Sequence, residues 1–398
     1  MRIRWQLSIL FGILLVVALS GCSKDQGPRP SQGTLDNPSF HVMRGKDLLD
    51  EQRIDAASKQ FDLGLELESE YAPALAGKAL VLTLQSKQVG LEPEKSAELL
   101  EESENLLEKA LSKAEGPNEE LSVQLLAMRT ITARAQGDDW IEDVEDHFED
   151  ALEVFEDHPD LQASKAEPWY YWGQSNEKAL RFEDAQNAFT QVLELNRGFT
   201  REANHAMEQL NKIVRAQPGT RHGRELAMIE QITRADMAAL LMQELKLADL
   251  YSRNATDQRE ELNFESPRKD FIPPGESKLE RPLASDISEH PLREDIETVL
   301  KLQVRGLESN PQFLFFPNKE ITRAEYALML EDVLLQVTQD SAQSTRFVGD
   351  TSPFVDVRPD AYYYNAARTL VSRTIMQLQD KVRGEFGPDR AVAGADAL

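Results

Sequence analysis

Cysteine is nearly absent from this 398-residue chain: there is one, Cys22. A single thiol excludes an internal disulfide framework and any thiolate zinc cluster. Basic charge is also scarce. The 44 Lys and Arg against 69 Asp and Glu leave a formal charge of −25, which argues against nucleic acid as a partner, because phosphate binding needs a basic patch. Histidine occurs six times, dispersed along the chain. No Gly-rich phosphate loop, His-Glu-x-x-His pair or Gly-x-Ser-x-Gly elbow is present, so no enzyme emerges and no metal or cofactor is expected. What is present, 41% hydrophobic and 28% charged residues, suits a folded chain of two or three domains.

The one long apolar run is at the amino terminus. Arg2 and Arg4 precede Leu7–Leu19, which is interrupted only by Ser8 and Gly12. That length is short for a bilayer span and has the build of an export signal. It closes on Leu19-Ser20-Gly21-Cys22, which resembles the bacterial lipobox. The resemblance implies cleavage after residue 21, with Cys22 as the new, lipidated terminus. Several acyl chains on one residue suffice for stable membrane anchoring. Ser23, in place of an Asp, implies the outer membrane, facing the periplasm, if the cell is Gram-negative. Residues 22–38, rich in Pro, Gly, Ser and Asp, read as a flexible tether.

From about residue 39 to 218 apolar positions recur at helical spacing. Phe61-Asp62-Leu63-Gly64-Leu65, Leu107-Glu108-Lys109-Ala110-Leu111, Phe148-Glu149-Asp150-Ala151-Leu152 and Phe189-Thr190-Gln191-Val192-Leu193 share one pattern, at offsets of 46, 41 and 41 residues. Four residues before each stands a small or branched residue: Ala57, Ser103, Val144, Ala185. This predicts a helical-hairpin solenoid. Trp169, Gly173, Ala185 and Phe189, and again Gly45, Ala57 and Phe61, resemble the packing positions of the tetratricopeptide repeat; the middle copies depart from it, and generic helical hairpins are the alternative. The resemblance implies a protein partner. In Trp169-Tyr170-Tyr171-Trp172, two of the four rings must face away from one side of a helix, making them candidate partner contacts. Twelve acids and no Lys or Arg lie between Asp138 and Asp160; without the alternating ligands and Gly of an EF-hand, the run reads as a solvated face.

The character changes across residues 219–398. Residues 220–398 carry 22 basic and 30 acidic side chains, −8, leaving −17 to residues 1–219. Ile232-Thr233-Arg234-Ala235-Asp236 is echoed by Ile321-Thr322-Arg323-Ala324-Glu325. Each Thr with an acid three residues on is a capping box; the Arg between them, with free backbone donors at a helix N-terminus, suits an anionic group. Ser285-Asp286-Ile287 and Phe354-Val355-Asp356-Val357 introduce further helices, and Phe316-Pro317 and Gly384-Glu385-Phe386-Gly387-Pro388 lead into the next capping position. That order resembles the S-layer homology domain, in which three helix-loop-helix units form a pseudo-threefold bundle. The resemblance implies binding of cell-wall polysaccharide or peptidoglycan-linked polymer, with Arg234, Arg323, Asp286 and Asp356 as candidate contacts. The first unit's leading helix is expected from around Ala203–Val214. The third unit reads Val392-Ala393-Gly394-Ala395-Asp396, without its arginine, and its last helix looks too short to pack well. Residues 252–281 read as a loop or insertion. The expectation is thus an all-α lipoprotein of the cell envelope, with a tetratricopeptide-like array followed by an S-layer-homology-like bundle. The alternative is a scaffold with no glycan affinity, serving an envelope secretion or polysaccharide-export machine.

Overall fold

The computed structural model describes residues 28–251 and 283–398. The signal segment, Cys22 and the segment expected as a loop at 252–281 lie outside the described residues. The chain divides into two compact units, 1–204 and 205–398, whereas the change of sequence character sits near residue 219. The fold is all-α: among the described residues there are helices and isolated bridges but no strand.

The first unit is a run of helical hairpins. Its helices are α1 (Pro38–Asp50), α2 (Ile54–Leu67), α3 (Ala72–Ser86), α4 (Pro93–Lys113), α5 (Pro117–Arg134), α6 (Trp140–Asp157), α7 (Ala166–Lys178) and α8 (Phe182–Leu195). Pro at the first or second position opens α1, α3, α4 and α5, where a missing N–H costs no helical bond. Each odd helix packs on the even helix that follows, and α1, α3, α5 and α7 also touch in succession, forming an inner face. The paired small and large positions read from sequence are all in the core: Ala57 with Phe61, Ser103 with Leu107, Val144 with Phe148, Ala185 with Phe189. Glycine makes the closest approaches. A Cβ on Gly45 or Gly77 would lie 2.6 or 2.2 Å from the Phe61 ring, and one on Gly173 2.7 Å from the Phe189 ring. These helices meet where a side chain is absent.

Helix α9 (Thr200–Ala216) crosses the division. The second unit continues with α10 (Arg221–Ala227), α11 (Arg234–Gln243), α12 (Arg293–Leu302), α13 (Arg323–Thr338), a 3₁₀ turn (Ser341–Thr345), α14 (Tyr364–Ser372) and α15 (Gly394–Ala397). One apolar core joins them, from Leu226 through Leu240, Ile296, Phe315, Met329 and Tyr364 to Val392. Both expected capping boxes are formed, Thr233 with Asp236 and Thr322 with Glu325.

Candidate functional site

The second unit is organised around a closed ring of three backbone hydrogen bonds. The Ile232 N–H donates to the Val392 carbonyl (3.0 Å), the Val392 N–H to Ile321 (3.1 Å), and the Ile321 N–H to Ile232 (3.0 Å). All three side chains are buried. Each residue stands two positions before the first residue of α11, α13 or α15, so the ring places three helix N-termini about a common centre. Three corners radiate from it, and they differ.

At the first corner the Arg234 guanidinium lies 4.8 Å over the Phe315 ring. It donates to the carbonyls of Phe315 (2.8 Å), Gly306 (3.0 Å) and Glu308 (2.9 Å), and to the Glu325 carboxylate (3.1 Å). The backbone donors are spent too: Arg234 N–H on Lys319 O and Ala235 N–H on Pro317 O. The side chain is 7% exposed. Burial lowers its pKa from the ordinary arginine value, against the field of Glu325 and Glu308. The expected anion site, an arginine beside free helix donors, is therefore closed here. Arg234 is a cross-brace, because a buried guanidinium must have its donors paired.

The second corner repeats the arrangement less completely. Arg323 lies 5.0 Å over Phe386 and donates to the carbonyls of Phe386 (2.8 Å) and Gln377. Its backbone N–H meets Arg390 O and that of Ala324 meets Pro388 O. Arg323 is half-buried, and among the described residues no ion pair reaches it. Its counterpart acid, Asp396, is paired instead with Lys212 of α9 (2.7 Å). Asp286 and Asp356 act on the same two loops. Asp286 accepts from the N–H groups of Phe315 (2.8 Å) and Phe316 (2.7 Å), and Asp356 from those of Phe386 (2.8 Å) and Gly387 (2.6 Å). Each phenylalanine is thus gripped by an aspartate at its N–H and an arginine at its carbonyl. The two aspartates hold these loops together. The sequence reading chose Phe316; the gripped ring is Phe315, and its six-residue spacing to Ile321, matching Phe386 to Val392, is the signal that identifies it.

The third corner has no arginine and no room for one. A Cβ at Gly394 would stand 1.7 Å from the Leu226 carbonyl oxygen. Helix α15 is nevertheless well packed, contrary to expectation: Gly394, Ala395 and Ala397 are buried, and the Tyr326 hydroxyl reaches the Ala397 carbonyl (3.2 Å). The expected leading helix falls within α9, whose Leu210 and Ile213 are buried.

Near the second corner one ring stands at the surface and its neighbour is half-buried against the core. Tyr362 is 74% exposed and meets Tyr363 edge to face, centroids 5.0 Å apart. The field at Tyr362 comes from Glu325, Asp389 and Glu308; after burial, these acids raise its hydroxyl pKa. Lys319, half in solvent, pairs with Glu325 at 3.1 Å. This aromatic and charged surface had no signal in the motif pattern; the run Tyr362-Tyr363-Tyr364 was its trace.

In the first unit, all four rings of the Trp169–Trp172 segment are engaged, so none is the outward-facing contact expected. Trp172 stacks on Phe148 (5.3 Å), Trp169 meets it edge-on (4.8 Å), Tyr170 stacks on Phe199 (4.5 Å), and Tyr171 is buried beneath Arg129 (4.9 Å). Beside Tyr171 the inner face holds a cavity of about 480 Å³, walled by Leu49, Leu80, Leu84, Thr132 and Arg129. Arg129 bridges α1 and α7, donating to Asp50 (2.7 Å) and to the Tyr171 hydroxyl (3.2 Å). At the C-terminal ends of α3 and α7, Lys87 and Lys178 face each other; burial and then Lys178 lower the Lys87 pKa. Lys87 Nζ donates to the Arg134 carbonyl (3.1 Å), and among the described residues neither lysine has an acid partner.

The chain matches no protein-family model, no characterised protein and no solved structure.

Proposed function

We propose that the protein is a lipid-anchored scaffold of the cell envelope, in which the second unit holds a wall polymer and the inner face of the first holds a protein partner. The observation that carries the polymer reading is the three-way ring with its repeated arginine–phenylalanine–aspartate corner. That is the arrangement expected if the units are S-layer homology repeats. In this chain the contacts are reassigned. Arg234, Asp286 and Asp356 maintain the corners, while Tyr362, Tyr363 and the half-buried Arg323 form the polymer surface. Exposed aromatic faces suit the apolar faces of sugars. For the first unit, the largely apolar cavity beside Arg129 suits an apolar side chain of a protein segment. Lipid at one end and polymer at the other make the molecule a tether.

Cosedimentation of the full mature chain with purified sacculi tests this. Wild-type protein is expected in the pellet, and Tyr362→Ala with Tyr363→Ala in the supernatant. Equal sedimentation of the two, or none by the wild type, refutes the polymer role. The closure of Arg234 and the loss of the third arginine favour a second reading, a scaffold without glycan affinity. Its expected signature is a stoichiometric partner crosslinked from Lys87 or Lys178 with no sedimentation on sacculi.

A further inference from the structure

The composition of residues 22–38 predicts a tether free along its whole length, but its second half is folded onto the first unit. The Arg29 N–H donates to the Glu66 carbonyl (2.7 Å), and Arg29 Nε to the Glu66 carboxylate (3.1 Å). The other two guanidinium nitrogens meet both oxygens of Asp36, at 2.7 and 2.9 Å, the planar two-point match that arginine makes with a carboxylate. Asp36 also accepts from the Gln32 N–H (2.6 Å) and faces His41 Nε2 (2.9 Å). The His41 ring reaches Gln60 of α2 through its other nitrogen (2.9 Å). Arg29, then His41 and Gln32, hold the Asp36 carboxyl well below the usual carboxylate range. Ser31 closes the turn on the Asp36 carbonyl (2.6 Å).

We propose that this clasp is a spacer lock that halves the leash between the lipid anchor and the first unit, and so fixes which edge of that unit faces the membrane. The inference rests on the reading of Cys22 as the anchor. Chain length supplies the scale. From Cys22 to Pro38 there are sixteen residue steps, a maximum of about 50 Å; from Cys22 to Arg29 there are seven, a maximum of about 25 Å. With the clasp closed, the edge formed by Arg29, the end of α2 at Glu66 and the start of α1 is held within about 25 Å of the lipid headgroups. With it open, the limit rises to about 50 Å. Membrane attachment and stand-off distance are therefore set by different residues, and an acid or cation competing for Arg29 or Asp36 changes one without the other.

The lone cysteine makes the test clean: once Cys22 carries lipid, an introduced thiol is unique. Full mature acylated protein bearing Ser69→Cys, an exposed position in the turn after α2, is labelled with a donor dye and placed on phosphatidylcholine vesicles with an acceptor lipid in the outer leaflet. Energy transfer is expected to be high in the parent and to fall at least twofold in Arg29→Ala and in Asp36→Asn, with Arg29→Lys between them. Far-UV circular dichroism equal to the parent's shows that the variants are folded. Hydrogen exchange at residues 30–37 is expected to be slow in the parent and fast in Arg29→Ala. Vesicle binding with unchanged transfer in both variants, or fast exchange in the parent, overturns the clasp. Protein that fails to bind vesicles overturns the anchor reading and the spacer role with it.

Discussion

Arg234 and Arg323 occupy equivalent places in the sequence repeat, and the structure predicts that removing them has very different consequences. Arg234→Ala strips donors from three carbonyls and from Glu325. Each lost pairing costs on the order of 1 kcal/mol, and opening a buried ion pair costs about 3–5 kcal/mol. Lys319 stays on Glu325 at 3.1 Å, which holds the ion-pair part at or below its lower figure, so with the three carbonyls the total is about 3–6 kcal/mol. Arg323→Ala removes two carbonyl bonds at a half-exposed site that no ion pair reaches among the described residues, about 1–2 kcal/mol. Arg234→Lys keeps the charge but not the fork, and falls between wild type and alanine. Tryptophan distribution provides the assay. Trp140, Trp169 and Trp172 lie in the first unit and residues 205–398 contain none. Urea unfolding is followed by tryptophan fluorescence and by circular dichroism on the same samples. Arg234→Ala is expected to move a circular-dichroism transition to lower urea while the fluorescence transition stays in place. Equal shifts for the two alanine variants, or a shift in fluorescence alone, would refute the cross-brace.

Two further predictions concern the first unit. Gly173→Ala, whose new carbon would meet the buried Phe189 ring at 2.7 Å, is expected to destabilise by about 1–3 kcal/mol despite alanine's better helix propensity, whereas Gly33→Ala, in open space, changes the midpoint by less than 0.5 kcal/mol, a typical surface value; fluorescence-detected unfolding compares them. His147, bonded to Gln124 (2.6 Å), has its pKa lowered by burial, against Asp150 and its neighbours. A base with a depressed folded-state pKa binds fewer protons folded than unfolded, so stability rises with pH through the window just below the ordinary histidine value of about 6.5. Lowering the pH from 7 to 5.5 is expected to move the first unit's midpoint down in wild type and less in His147→Gln.

The helical periods and the small–large pairs of the first unit were legible because they are local: Ala57 and Phe61 are one turn apart and the same pattern recurs. The capping boxes were legible for the same reason, since three residues carry the whole signal. What the arginines do was not, because their partners are 54 to 91 residues away. A motif shows that an arginine recurs; only packing shows that Phe315 and Glu325 have consumed its donors. The Trp169–Trp172 segment misled differently. Counting rings around one helix ignores the neighbours that come to meet it, here Phe148 from α6 and Phe199 after α8. The clasp at Arg29 was hidden by composition, since Pro, Gly and Ser mark a segment without a core but say nothing of a salt bridge to Glu66.

The third corner separates what sequence drift removed from what packing forbids. Ala393 holds the backbone of an N-cap, φ −78° and ψ 150°, close to Thr233 and Thr322 at −87°, 170° and −86°, 156°, and Asp396 stands three residues on, where the capping acid belongs. The hydroxyl is missing, and Asp396 is turned to Lys212 (2.7 Å). Ala393→Thr is therefore expected to stabilise the second unit by about 0.5–1 kcal/mol, the low end of a cap restored on a one-turn helix. The next position behaves oppositely. At Gly394 the obstacle is the Leu226 carbonyl, 1.7 Å from a Cβ, with the Ala227 backbone at 3.2 Å. Backbone at the end of α10 does not yield as a side chain does, and the Gly394 N–H is itself bonded to Ile229 O (2.8 Å). Gly394→Ala should cost at least as much as overpacking a core, about 1–3 kcal/mol, and Gly394→Arg should not recover the braced corner even with Ala393→Thr beside it. The missing arginine then follows from how α10 fills the space that the phenylalanine loops occupy at the other two corners. A Gly394→Arg protein as stable as wild type by circular-dichroism unfolding would show instead that the corner was open all along.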